Sequence, residues 1–419
     1  MKDITEAEQL RNTVREIVDR TPVLDMHTHI YAPALRGLLL WGIDELLTYH
    51  YVVAETFRAA PLPYEQYWNM AKADQAEYIW RVLFVERSPI SEACRGVLTV
   101  LHALGLDTSR RELAPLRRYF ASMTVEKYVD KVFELAGVSS VVMTNDPFDD
   151  AERPVWEKGY QRDSRFQAAL RIDPLLNDWT ASAKRLKQWG YDVRGDLGAG
   201  DVDAVRRFLA DWIKRMAPRY MAVSLPPTFA FPDAGPCGTL IERCILPAAR
   251  EAGIPMALMI GVRRSVNPNL RLAGDGVGRA DVRAVDRLCT QFPDNRFLVT
   301  ILSRENQHEL CVSTRKHANL MVFGCWWFLN IPSVIEDMTR QRFELLGLSF
   351  IPQHSDARVL DQLIYKWSHS RAIIADVLAD KYLDLARAGW QVSEQDIRRD
   401  AAMLLAGNFE RFCEGAKQT

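Results

Sequence analysis

The chain has 419 residues, 48% hydrophobic and 26% charged, which is ordinary globular usage and enough for one large core or two domains. Its 53 Lys and Arg against 54 Asp and Glu leave a net charge of −1 and a pI near 6.7. That balance argues against a general nucleic-acid or anionic-membrane surface, while leaving room for a local basic pocket. The first ten residues carry acidic groups and no apolar run, unlike a secretory leader, and the apolar stretches are too short to span a bilayer. Seven scattered cysteines (Cys94, Cys237, Cys244, Cys289, Cys311, Cys325, Cys413) include no Cys-x-x-Cys pair and read as buried thiols of a reducing compartment. The expectation is a cytoplasmic protein without nucleic-acid or membrane partners.

Eight short apolar runs punctuate the chain, at 22–29, 139–144, 168–174, 221–226, 254–261, 296–302, 319–325 and 350–356. Most lack clean alternation, which predicts strands buried on both faces of a parallel sheet. Helical patterns at 178–189, 204–217, 240–252, 281–292 and 307–317 fall between them, as right-handed crossover units require. Eight such units predict an α/β fold, a closed (β/α)₈ TIM barrel forming a single domain over 1–419. An open doubly wound sheet is disfavoured because no Gly-x-Gly-x-x-Gly follows the first run. Residues 31–138 are too many for one connection and read as a helical insertion after the first strand, with helical stretches at 42–53, 62–83, 88–104 and 125–136. The segment 362–413 is helical and is expected to close the ring.

The first run ends in Asp25-Met-His-Thr-His29. Side chains alternate in an extended chain, so His27 and His29 point the same way and can grip one divalent metal from a rigid base. The last run ends in His354-Ser-Asp-Ala-Arg358, and first and last strands are neighbours in a closed barrel. His27, His29 and Asp356 can therefore converge as a mixed nitrogen–oxygen set suited to zinc, with manganese or iron as alternatives. His354, on the same strand face as Asp356, reads as a further ligand or as a partner of one.

Other groups offer chemistry beside that set. His50 and Tyr51 open the insertion as a proton carrier next to a phenol. Arg171 and Asp173, at the third strand end, can clamp and orient a carboxylate, and Arg358 can pair with Asp356 or an anionic substrate. Trp326, Trp327 and Phe328 bring aromatic area to the barrel mouth. Arg263-Arg264 follows the fifth strand, and 274–281 reads as a mobile loop that covers substrate or merely connects. His102, His308, His317 and His369 lie in helical stretches and read as structural.

These segments together resemble the uronate isomerase (glucuronate isomerase) family, a divergent branch of the amidohydrolase-type metal-dependent barrels. The pieces are Asp25-Met-His-Thr-His29, His50-Tyr51, Arg171-Ile-Asp173, the stretch from Ile260 to Asp281, Gly324-Cys-Trp-Trp-Phe328 and Ser355-Asp-Ala-Arg358, in order over roughly residues 20–412. The resemblance implies aldose–ketose interconversion of hexuronates, D-glucuronate to D-fructuronate and D-galacturonate to D-tagaturonate. It implies one divalent metal on His27, His29 and Asp356, the substrate carboxylate on Arg171, His50 and Tyr51 by the reacting hydroxyls, and Arg358 placing the sugar. With a metal polarising the C1 carbonyl or C2 hydroxyl, a base removes the C2 proton and a cis-enediol is reprotonated at C1. Asp356 and Tyr51 both remain open as that base.

The chain departs from the family pattern at three places. Met259 stands where a histidine is frequent, Leu329 interrupts the usual aromatic-Asn-Asp run, and His354-Ser-Asp-Ala replaces Thr-Asp-Ser. Met259 cannot carry a proton, so another sugar acid is a possible substrate. The alternative is a metal-dependent hydrolase of a lactone, ester or amide, although such hydrolases commonly add lysine or histidine at middle strands, where none stands here. A non-catalytic sugar-acid binder would keep the arginines but needs no proton carrier. A homo-oligomer is open, with no segment marking an interface.

Overall fold

The computed structural model describes residues 7–415, so the terminal portions of the 1–419 domain reading, including most of the acidic start, lie outside the described residues. Among the described residues nine strands follow one another: β1 (Val23–Thr28), β2 (Val138–Asn145), β3 (Phe166–Arg171), β4 (Met221–Leu225), β5 (Met256–Ile260), β6 (Val262–Arg263), β7 (Gly276–Val277), β8 (Phe297–Ile301) and β9 (Leu320–Val322). Seven form one parallel sheet in the order β1-β2-β3-β4-β5-β8-β9, while β6 and β7 pair antiparallel as a separate flap. The strands β1, β4, β5 and β8 are buried at every position. This is why their sequences lack the clean apolar–polar alternation of half-exposed strands.

The sheet curls, and its inner face is packed by Met26, Val142, Ala169, Ala222, Ala257, Met259, Leu298, Phe323 and Ile351. Its outer face buries a larger core against the helices. Among the described residues the parallel sheet has seven strands rather than the eight of a closed ring. The run at 350–356 is no strand; it touches β9 through a single bridge between Phe323 and Ile351. On the other side the amide of Asp356 donates to the His27 carbonyl at 3.1 Å, and that of His29 to Ala357 at 2.7 Å. Pro352 has no N–H for a ladder, and Asp356 sits at φ +51°. These two backbone facts prevent regular extension while leaving the segment across the gap.

Residues 31–138 carry short helices, of which Val125–Ala136 keeps its expected bounds. The helix Gln362–Arg387 packs along Ala7–Arg20 and the insertion. Asp361, fully buried just before it, accepts from the Gly42 amide at 2.9 Å and from the Tyr128 hydroxyl, tying the insertion to the C-terminal segment. The helices Ala7–Arg20, Leu113–Ala121 and Pro332–Leu346 extend the expected set. No helix among the described residues is long and apolar enough to cross a membrane.

Candidate active site

The end of β1 delivers His27 and His29 to one side, as strand alternation requires, with ring centroids 5.5 Å apart. Across the gap, Asp356 Oδ1 lies 3.7 Å from His27 Nε2 and 3.3 Å from His29 Nε2. The three donor atoms lie within 4.8 Å of one another. Two ligand bonds of about 2.0–2.1 Å at a tetrahedral angle place donor atoms roughly 3.3 Å apart, so the set matches a small divalent ion.

Hydrogen bonds behind the rings settle which nitrogens are bare. The Tyr220 hydroxyl donates to the Met26 carbonyl at 2.7 Å and therefore meets His27 Nδ1, 3.0 Å away, as an acceptor. His27 Nδ1 thus carries the proton, and the buried Nε2, without a protein partner, keeps its lone pair. The same device recurs at His29. Thr144 Oγ1 donates to the Thr28 carbonyl at 3.0 Å and accepts from His29 Nδ1 at 2.9 Å. Two imidazole lone pairs and a carboxylate oxygen then face one point. Three acceptors would repel there unless a cation joins them. Burial pulls the His27 pKa down to about 3 against the opposing pull of Asp356, and pulls His29 well below its usual value. Both rings are therefore neutral and fit to ligate.

Further contacts fix Asp356 from behind. Asp25 is fully buried, accepting from the Ser355 amide at 3.1 Å and from Trp367 Nε1 at 2.8 Å. Burial pushes its pKa up to about 6 against those bonds. Lys366, also buried, donates to the Ser355 carbonyl at 2.7 Å, and burial lowers its pKa. Asp356 itself adopts a left-handed backbone, a conformation that costs on the order of 1–3 kcal/mol and persists where surroundings impose it. His354 does not join the metal set. Its ring packs edge-on to His27 at 5.2 Å and both its nitrogens are buried without a partner.

A cavity of about 30 Å³ covers the triad, lined by His50, Arg171, Ser224, Met259, Arg264, Trp326, Trp327 and Arg358 besides His27, His29 and Asp356. Most of the residues singled out in sequence converge here. Asp173 does not line the cavity; it holds the Arg171 guanidinium at 2.6 and 3.0 Å and accepts from the Ser224 amide at 3.1 Å. Burial pulls the Arg171 pKa down, but the ion pair with Asp173 more than offsets it, and the net shift is upward. Tyr51 also stands behind the wall, its ring 4.6 Å from His50, lining an adjoining cavity with its hydroxyl buried and unpartnered. Burial raises the Tyr51 pKa well above the phenol range and lowers that of His50. Sequence reasoning missed Tyr220 and Thr144, because neither sits in a local motif. It named Arg264 and Met259 without placing them in the cavity.

The fold superposes on a uronate isomerase from Bacillus halodurans C-125 with a TM-score of 0.97 and 56% identity, covering 98% of this chain and 97% of that one. A uronate isomerase from Thermotoga maritima matches at TM-score 0.78 and 16% identity, over 97% and 96% of the two chains. A glucuronate isomerase from Caulobacter crescentus matches at 0.68 and 14%, over 99% and 95%. The last two are similar in fold alone. No family model matches the chain, and no curated protein sequence does.

Proposed function

The chain belongs to the uronate isomerase family, and from that premise we propose that it interconverts hexuronates and their 2-keto isomers, D-glucuronate with D-fructuronate and D-galacturonate with D-tagaturonate. The observation that carries this reading is the 56% identity to a uronate isomerase over 98% of the chain. The converging neutral imidazoles and carboxylate support a metal-dependent route. In this reading the segment 350–357 serves as the missing eighth position of the barrel, and His27, His29 and Asp356 hold one divalent ion. Two nitrogens and one oxygen favour zinc, with manganese or iron as substitutes. When bound, the ion supplies Lewis acidity toward the sugar's oxygens.

The chain's own residues divide the remaining work. Arg171, charge-matched and oriented by Asp173, and Arg358 hold the anionic sugar; Trp326 packs against its carbon face. Tyr51 stays protonated in its buried site behind the wall, where it packs against His50, so it is not the base. Asp356 is then the base: its second carboxylate oxygen takes the C2 proton and returns it to C1. His50, neutral and in the cavity wall, passes a proton between the C1 and C2 oxygens. Among the described residues, the lining of this cavity includes no lysine and no imidazole from a middle strand, so nothing specific favours hydrolysis.

Incubating metal-loaded protein with a hexuronate panel in deuterated water, followed by proton NMR, tests the reading. Ketose formation is expected. Absence of ketose from every hexuronate, with metal verified in the protein, would overturn it.

A further inference from the structure

Six carbons and seven oxygens of a hexuronate do not fit the cavity over the triad, whose roughly 30 Å³ accommodates a water or two. A larger cavity of about 360 Å³ adjoins it, sharing His50 and Arg358 and bounded by Trp68, Arg271 and Leu272. Between this vestibule and the ligands, most of the wall consists of side chains on buried strands or their fixed ends. His50, on the insertion, and Arg264 are the exceptions, and Arg264 is the more exposed. Its side chain is 56% exposed, and it rides on the flap at 262–277, outside the main sheet.

The flap is joined to the barrel by short connections. It leaves β5 at Gly261, whose φ of +119° suits glycine and whose missing Cβ would come within 3.0 Å of the Gly278 carbonyl. Its base is the two-residue pairing of β6 with β7, continued by the Gly278 amide donating to the Gly261 carbonyl at 2.9 Å. Its tip is clasped to the insertion by a few peripheral contacts. Trp68 Nε1 donates to the Asn269 carbonyl at 2.9 Å, Asn267 Nδ2 to the Tyr64 hydroxyl at 3.1 Å, and the Arg271 guanidinium lies 4.5 Å from the Trp68 ring centroid. Few polar contacts at an exposed rim make opening cheap relative to the core. Asp275 holds Arg264 at 2.5 Å and accepts from the Ser265 amide at 2.8 Å, which keeps that guanidinium over the cavity beside Arg171 and Arg358.

We propose that the flap at 262–277 is the movable wall of the catalytic cavity, and that Arg264 on it is a substrate-contacting residue that selects anionic sugars. The inference rests on the hexuronate reading above. Closure brings a third guanidinium onto the bound sugar acid, so affinity for the anion is acquired as the vestibule is shut off. Arg264 adds nothing to the chemistry at C1 and C2, and its contribution falls on binding.

Steady-state kinetics on D-glucuronate and calorimetric binding of a non-isomerising hexaric acid test the first half. Arg264→Met is expected to raise KM and the hexarate Kd by about 30-fold with kcat within about threefold, Arg264→Lys to recover part, and Arg263→Met, on the flap but outside the cavity lining, to match wild type. Values for Arg264→Met within twofold of wild type, or a fall in kcat alone, would overturn its role. Stopped-flow binding of hexarate tests the second half. Trp68→Phe, which removes the indole donor to Asn269, should speed association and dissociation together at least threefold; unchanged rates would sink the movable wall. Wild-type protein that turns over no hexuronate refutes the function, and the hexarate measurements still decide the flap.

Discussion

One site is assembled from two unlike regions. On the β1 side, a regular strand places His27 and His29 by alternation alone, and each ring needs only one hydrogen bond behind it, donated by its Nδ1 to Tyr220 or Thr144. On the opposite side, an irregular segment delivers Asp356 at φ +51°, held by backbone bonds to His27 and His29 and by Asp25, Trp367 and Lys366. A regular strand supplies ligand geometry without further support, whereas a kinked segment needs a buried polar scaffold. The two sides should therefore fail in different ways.

The largest effect is expected at the shared centre. His29→Asn and Asp356→Asn should each lower kcat/KM by more than about 1,000-fold, with bound metal lost in elemental analysis for both. The scaffold of the kinked side comes next. Asp25→Ala leaves the Ser355 amide and the Trp367 indole N–H buried without acceptors, and should destabilise the fold by roughly 3–5 kcal/mol in urea titrations. An Asp25→Ala protein as stable as wild type would remove the distinction drawn between the sides.

Acid should act on the strand side of metal-free protein. His27 has its folded pKa depressed to about 3 by burial, below the unfolded value near 6.5. The unfolded chain then binds more protons through this window, so His27's contribution is intact above about pH 6.5 and drains away as pH falls toward 3. Asp25, raised to about 6, runs in the opposite sense, so the signal is the difference between wild type and His27→Asn. That difference should move against wild type by about 3 kcal/mol between pH 6.5 and 3.5, read from urea midpoints. The smallest expected effect is behind the rings. Tyr220→Phe and Thr144→Val release the Nδ1 protons that fix each tautomer, and should weaken metal binding by about 10–100-fold with the fold intact.

How much of this was readable in the sequence follows from the same division. The seven sheet strands announced themselves as apolar runs, and His27 and His29 followed from strand alternation. Asp356 rested on two strand ends meeting and on family likeness. Its kinked segment looked like a strand because Phe350, Ile351 and Pro352 are apolar, although Pro352 cannot join a ladder on its N–H side. The helix Pro332–Leu346 was hidden because Thr339 and Arg342 occupy its buried face beside Ile335, Met338 and Phe343, which breaks the apolar period. Ala7–Arg20 does carry that period in Leu10, Val14, Ile17 and Val18, but no continuous apolar run. Tyr220 and Thr144 act through tertiary contact alone, and a linear pattern holds no trace of that.

The central claim is that one ion, held by His27, His29 and Asp356, supports hexuronate isomerisation. Chelator-stripped protein titrated with zinc while D-fructuronate formation from D-glucuronate is followed tests it most directly. Activity is predicted to start near zero, rise linearly and saturate at one ion per chain, with His29→Asn never responding. Full turnover in metal-free protein, or saturation only at two ions per chain, would contradict it.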